Sequence, residues 1–137
     1  MTPTSSAPTA TPVIGQYRAS PTFANQQWSL VATSNPTQFN IQNGETNTFL
    51  SYAGAPSGSM KFAQAAIEST PRSFNVVQSS GAIGQFNVTM YFSILDVSTG
   101  LALTAWPVST RRGSTITPVT YEPWVNGAVD QMWTFAT

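Results

Sequence analysis

The chain has 137 residues, the length of one ordinary domain, so we treat 1–137 as a single domain. Apolar residues make up 41% of it, enough for a core, whereas charged residues make up only 7% and the five basic and five acidic side chains balance. Phosphates and anionic lipids are bound by clustered Lys and Arg, so this composition argues against nucleic acid and against membrane insertion. A surface of Ser, Thr, Asn and Gln suits a neutral, hydroxyl-rich partner.

The chain contains neither Cys nor His. These absences exclude a disulfide, a thiolate nucleophile, a thiolate metal site and a Ser-His-Asp triad. The five carboxylates do not have the spacing of a metal loop, although a pair that meets only in the fold, as in glycoside hydrolysis, stays open. The sequence therefore predicts a protein that is not an enzyme and that needs no metal and no cofactor.

The first ten residues are rich in Pro, Thr and Ser and lack the charged and apolar regions of a signal peptide. No apolar run approaches the ~20 residues that span a bilayer. The lack of cysteine is compatible with a reducing compartment. We expect a cytoplasmic location.

Short aromatic and β-branched segments along the chain predict strands, the clearest at 38–42, 49–52, 73–77 and 85–92. Turn signals rich in Gly, Pro, Asn and Ser separate them roughly every ten residues. Only 61–69, with three alanines, is compatible with a helical turn. The pattern predicts an all-β sandwich or barrel.

Two motifs recur near the ends of the chain. Gln-x-Trp occurs at 26–28 and 131–133, and each copy follows a Thr-Pro-Val, at 11–13 and 117–119. A weaker copy at 71–76 has Phe74 in place of tryptophan. A Phe-x-Ile segment also occurs twice, at 39–41 and 92–94, each time followed by a turn and a Leu-containing strand. The spacing indicates an internal repeat.

These motifs resemble the ricin-B-like (R-type) lectin family, in the form seen among fungal β-trefoil lectins. The resemblance implies a β-trefoil of three repeats, here about 1–33, 34–80 and 81–137, with Trp28 and Trp133 in the core. The first repeat is shortened, because only ten residues precede its Thr-Pro-Val. A missing barrel strand would expose a sheet edge, so a homodimer is expected.

The resemblance also implies where sugars bind. Each family site uses an early Asp, an aromatic ring that packs on the sugar, and an Asn before Gln-x-Trp. The middle repeat has lost this pattern, with Pro71 or Arg72 at the Asn position. The best match is the third repeat, and the first repeat is the second choice. The candidate residues are Tyr121, Trp124, Asn126 and Asp130, with Trp106 as a second wall, and then Tyr17, Asn25 and Gln26.

The sequence therefore predicts a lectin that binds glycans or glycoconjugates. The alternative is a β-trefoil protease inhibitor that inserts one exposed loop, either 53–59 or 109–114, into a protease cleft. A glycan screen and a protease screen distinguish the two.

Overall fold

The computed structural model describes residues 1–5, 11–15, 20–57, 59–79, 90–106 and 117–135. Within these ranges the regular secondary structure is β-strand, apart from two 3₁₀ turns, Ala24–Gln26 and Val129–Gln131. The strands are β1 (Thr2–Pro3), β2 (Thr11–Gly15), β3 (Trp28–Ala32), β4 (Gln38–Asn43), β5 (Phe49–Ser51), β6 (Ala63–Gln64), β7 (Ala66–Glu68), β8 (Phe74–Gln78), β9 (Phe92–Asp96), β10 (Ala102–Ala105) and β11 (Thr117–Glu122). The all-β prediction is confirmed. No helix among the described residues has the length and apolarity that crossing a bilayer requires.

Eight strands close into a barrel, in the order β2–β7–β5–β4–β8–β9–β10–β11. The ring closes because β11 pairs antiparallel with β2, so that Pro118 lies opposite Ile14. The three remaining strands attach to this ring, β1 to β2, β3 to β4 and β6 to β11. The two Thr-Pro-Val segments therefore lie on neighbouring strands, although about a hundred residues separate them in the chain.

Three chain segments meet at Val13, Ala65 and Val119. The Val13 amide donates to the Ala65 carbonyl at 2.8 Å, and the Ala65 amide donates to the Val119 carbonyl at 2.9 Å. All three side chains are buried. Residues 61–69, whose composition is compatible with a helical turn, form no helix and contain β6 and β7. Alanine favours helices in isolation, but here a small side chain fits a crowded junction, and tertiary packing overrides propensity.

The core is centred on the rings of Tyr52, Phe74 and Tyr121. Tyr121 stacks on Phe74, with ring centroids 6.1 Å apart, and meets Tyr52 edge-on at 5.4 Å. Aliphatic side chains from β2, β7 and β10 surround these rings. Each buried ring removes on the order of 150–250 Å² from water, so the aromatic cluster contributes strongly to the stability of the barrel.

The two Gln-x-Trp motifs have the same local structure. Each Gln ends a 3₁₀ turn, and each Trp packs against the core, as predicted. The indole N–H of Trp28 donates to the Met1 carbonyl at 2.9 Å, and that of Trp133 donates to the Leu103 carbonyl at 2.9 Å. Because Met1 directly precedes β1, this short strand holds Trp28 in the way that β10 holds Trp133. A two-residue strand, β1, therefore precedes the first Thr-Pro-Val, as β10 precedes the second.

Candidate functional site

The hairpin of β10 and β11 carries a partly exposed indole beside a carboxylate. The N–H of Trp106 donates to Oγ1 of Thr120 at 3.0 Å, and the Thr120 hydroxyl donates to Oε2 of Glu122 at 3.0 Å. Trp106 nevertheless keeps 45% of its surface exposed. The hydrogen bond fixes the indole against the strand, so part of its surface faces solvent in a defined orientation.

A second indole lies on the loop after β11. The N–H of Trp124 donates to Oγ of Ser93 on β9 at 3.1 Å, and 39% of the side chain is exposed. Ser93 is itself buried. Trp124 is therefore anchored by its polar edge, as Trp106 is, and part of its ring faces solvent.

Gln131, the glutamine of the second Gln-x-Trp, positions this loop. Its Oε1 accepts a hydrogen bond from the Val125 amide at 2.8 Å, and its Nε2 donates to the Pro123 carbonyl at 3.0 Å and to Oγ1 of Thr104 at 3.2 Å. Thr104 lies opposite Thr120 in the hairpin. The loop that carries Trp124 is thus tied to the hairpin that carries Trp106.

Two further residues of the predicted site, Asn126 and Asp130, lie in this loop and in the 3₁₀ turn that follows it. Asn126 is exposed in a turn that Gly127 completes with a φ of 85°, a conformation that glycine adopts without strain. Asp130 is exposed in the second 3₁₀ turn, directly before Gln131. We define the third-repeat face as Trp106, Glu122, Trp124, Asn126 and Asp130. Among the described residues, this face included, acidic side chains do not gather in threes as a metal site would require.

Tyr121 does not belong to this face. Its side chain has no exposed surface, and burial raises the pKa of its phenol well above the usual range. A residue this deep in the core cannot pack against a ligand at the surface. The alternation along β11 explains the placement, since Val119 and Tyr121 point inward while Thr120 and Glu122 point to the other side of the strand. The same alternation would have identified Glu122, which the sequence reasoning missed.

The candidate residues of the first repeat are only partly described. Tyr17 lies outside the described residues. Asn25 and Gln26 are half-buried in the first 3₁₀ turn, where the Asn25 carbonyl accepts a hydrogen bond of 2.9 Å from Nδ2 of Asn43. Gln26 lines a cleft together with Trp28 and Trp133.

In the middle repeat, Arg72 is turned inward. Its guanidinium lies 3.7 Å from the centre of the Tyr52 ring, its Nε donates to Oγ of Ser51 at 2.8 Å, and its Nη2 donates to the carbonyls of Tyr52 and Gly54. These contacts hold the base of the exposed loop at 53–57. Here Arg72 is a structural anchor of the loop.

The chain matches no protein-family model, and a search of curated proteins finds no relative. The resemblance to ricin-B-like lectins therefore rests on the motifs themselves.

Proposed function

We propose that the protein is a non-catalytic lectin that binds neutral glycans at the third-repeat face. The observation that carries the proposal is the pair of indoles, Trp106 and Trp124, each fixed through its N–H and each more than one-third exposed. A pyranose ring has apolar C–H faces and a rim of hydroxyls, so it packs on a flat aromatic surface and bonds to fixed acceptors. Glu122 supplies a carboxylate beside one indole, and Asn126 supplies an amide near the other.

We also propose that the barrel is a β-trefoil with a shortened first repeat. The meeting of three chain segments at Val13, Ala65 and Val119 supports this assignment, because three repeats around one axis would each bring a segment to it. The matching anchors of Trp28 and Trp133 support it as well. A trefoil would place equivalent shallow sites on its repeats, of which the third is the most complete here.

A glycan array probed with labelled protein at several concentrations tests the function. We expect binding to neutral glycans that Trp124→Ala and Trp106→Ala each weaken by about tenfold or more, the loss that corresponds to 1.4 kcal/mol. Phe23→Ala, which removes an exposed aromatic residue of the first repeat, is the matched control and should bind normally. Normal binding by a folded Trp124→Ala would contradict the site, and a failure to bind any glycan would contradict the function.

The carboxylate has its own test. Glu122→Gln keeps an oxygen that can accept the Thr120 hydrogen bond but removes the charge, and charge-assisted hydrogen bonds contribute about 1.5–3 kcal/mol. We expect roughly tenfold weaker binding with an unchanged unfolding midpoint. Glu45→Gln, at an exposed turn of the middle repeat, is the control. Equal affinities of the two variants would remove Glu122 from the site.

A protease inhibitor is the second candidate, favoured by the loop at 53–57. Arg72 fixes the base of this exposed loop through the Tyr52 and Gly54 carbonyls, and a preorganised loop suits insertion into a cleft. The other candidate loop, 109–114, lies outside the described residues. A screen against serine and cysteine proteases tests this function, and inhibition should be lost in Arg72→Met. An inactive wild-type protein in that screen would exclude it.

A further inference from the structure

The structure contains a cleft between β3 and residues 133–135 that is lined by both apolar and polar side chains. Trp28 and Leu30 form one side, Trp133 and Phe135 form the other, and Ile41 and Ile94 lie in its lining. Its volume is about 520 Å³, and the described residues that line it have uncharged side chains. Leu30 and Phe135 remain 38% and 42% exposed, so the apolar surface is open to solvent.

The two sides of the cleft are the two ends of one series of paired strands. β3 pairs with β4, β4 with β8 and β8 with β9, and Phe92 of β9 forms a bridge with Trp133 through two backbone hydrogen bonds of 2.8 Å. Within the described part of the chain, β4 is the only strand that pairs with β3. The series would close into a ring if one more strand lay between β3 and Phe135.

The repeats define what that strand would contain. In the middle repeat Phe39 lies opposite Phe74, and in the third repeat Phe92 lies opposite Trp133. In the first repeat, Trp28 corresponds to Phe74 and Trp133. Among the described residues, no strand pairs with β3 on the edge that faces away from β4. The first position of a strand added at this edge would therefore correspond to Phe39 and Phe92.

A second position follows two residues later. Ile41 lies opposite Leu30, and Ile94 lies opposite Val76, each two residues after its phenylalanine. Phe135 stands two residues after Trp133, in the place that Leu30 and Val76 occupy. A strand added at this edge would thus carry an aliphatic residue opposite Phe135. Its pattern would be an aromatic residue, any residue, then a β-branched aliphatic residue.

We propose that this cleft binds an extended, uncharged segment of a partner polypeptide with the Phe-x-Ile pattern, added as an antiparallel strand between β3 and residues 133–135. The backbone of the segment would bond to the open strand edges, and its two apolar side chains would fill the cleft, which is the general mode of β-strand addition. This proposal is independent of glycan binding, because the cleft lies outside the third-repeat face.

A synthetic peptide with the sequence of residues 37–43, capped at both ends and fluorescently labelled, tests the proposal against the full chain. It carries Phe39 and Ile41 in the required spacing. We expect saturable binding by fluorescence anisotropy, a change in tryptophan emission, and a rise of the unfolding midpoint with peptide concentration. The same peptide with Phe39→Ser and Ile41→Ser should bind at least about tenfold more weakly.

On the protein side, Phe135→Ala should weaken peptide binding about tenfold, whereas Val129→Ala, at an exposed valine of the 3₁₀ turn, should not. Hydrogen exchange should show new protection in β3 and at Thr134. The peptide variants need no protein substitution, so the test holds even if Phe135→Ala folds poorly. Equal binding of both peptides, or no binding, would overturn the proposal.

A second copy of the chain is the competing occupant. Light scattering after size exclusion, over a concentration series, measures self-association directly. A dimer that Phe135→Ala disrupts and that the peptide does not dissociate would assign the cleft to self-association and would overturn the peptide proposal. A monomer whose peptide binding follows the expected pattern would support it.

Discussion

The phenol of Tyr52 donates a hydrogen bond of 3.0 Å to Oδ2 of Asp96, and both residues are buried. The same carboxylate oxygen accepts hydrogen bonds from the amide of Thr99 at 3.0 Å and from its hydroxyl at 2.7 Å. The two residues are 44 positions apart in the chain. One carboxylate therefore joins the aromatic core to the turn between β9 and β10.

This arrangement predicts that the protein loses stability in alkali. Burial, with the nearby Asp96 carboxylate, raises the pKa of Tyr52 from about 10 to about 12. Between these values the folded protein holds more protons than the unfolded chain, so the free energy of unfolding falls as the pH rises from about 10 to about 12. Urea unfolding at fixed ionic strength over this range measures the slope.

Tyr52→Phe provides the comparison. It removes one of the two phenols whose pKa is raised among the described residues, so we expect a shallower decline above pH 10, with Tyr121 still contributing to it. At neutral pH the variant is less stable than the wild type, because Asp96 loses a buried partner. A wild-type stability that stays constant across pH 10–12 would contradict the argument.

The two kinds of tryptophan should separate stability from binding. Trp133 packs against the core and bonds to the Leu103 carbonyl, so Trp133→Ala should lower the free energy of unfolding by about 3–5 kcal/mol. Trp124 is anchored through its polar edge to Ser93 and is partly exposed, so Trp124→Ala should cost roughly 1 kcal/mol. Denaturant unfolding of both variants checks the contrast, and a cost at Trp124 as large as that at Trp133 would refute it.

Gln131→Met should loosen the loop after β11. The substitution keeps an unbranched side chain of similar length but removes three hydrogen bonds, at a cost of about 1–3 kcal/mol. The Val125 amide should lose protection from hydrogen exchange, because Gln131 is its acceptor. Asp130→Asn, at the exposed neighbour, is the control and should leave that protection unchanged.

Gly15 allows β2 to pair closely with β11. A Cβ on Gly15 would overlap Oγ1 of Thr117, its opposite residue, so Gly15→Ala should destabilise the protein by about 1–3 kcal/mol. In a Thr117→Ala background the same change should cost much less, because the clashing oxygen is gone. A double-mutant cycle by thermal unfolding measures this coupling, and additive effects would contradict it.

The strands were predictable where the signal was local. Alternation in 38–42 and turn residues after it determine β4 and its hairpin, and Gln-x-Trp correctly indicated that Trp28 and Trp133 pack on the core. The inward orientation of Tyr121 was also predictable from local alternation, since Tyr121 follows the buried Val119 by two residues. The many polar and aromatic residues around Tyr121 suggested a binding loop instead.

Other features depend on contacts that no short segment encodes. The strand character of 61–69 arises from Ala65, whose backbone bonds to Val13 and Val119 from distant parts of the chain. Trp106 and Glu122 lie close together because both form a hydrogen bond with the Thr120 hydroxyl, which joins the two strands of the hairpin. Side-chain anchors of this kind decide which aromatic residues face solvent, and a motif alone does not specify them.

The closure of the barrel between β2 and β11 has a consequence for how the chain folds. Hairpins such as β3–β4 and β8–β9 join near neighbours and can form early, but the ring is complete only when residues about a hundred positions apart have met. Such a high contact order predicts slow folding, because β2 can pair with β11 only after about a hundred further residues have been synthesised. During that stage on the ribosome, the edge of β2 that later pairs with β11 would be exposed to other chains.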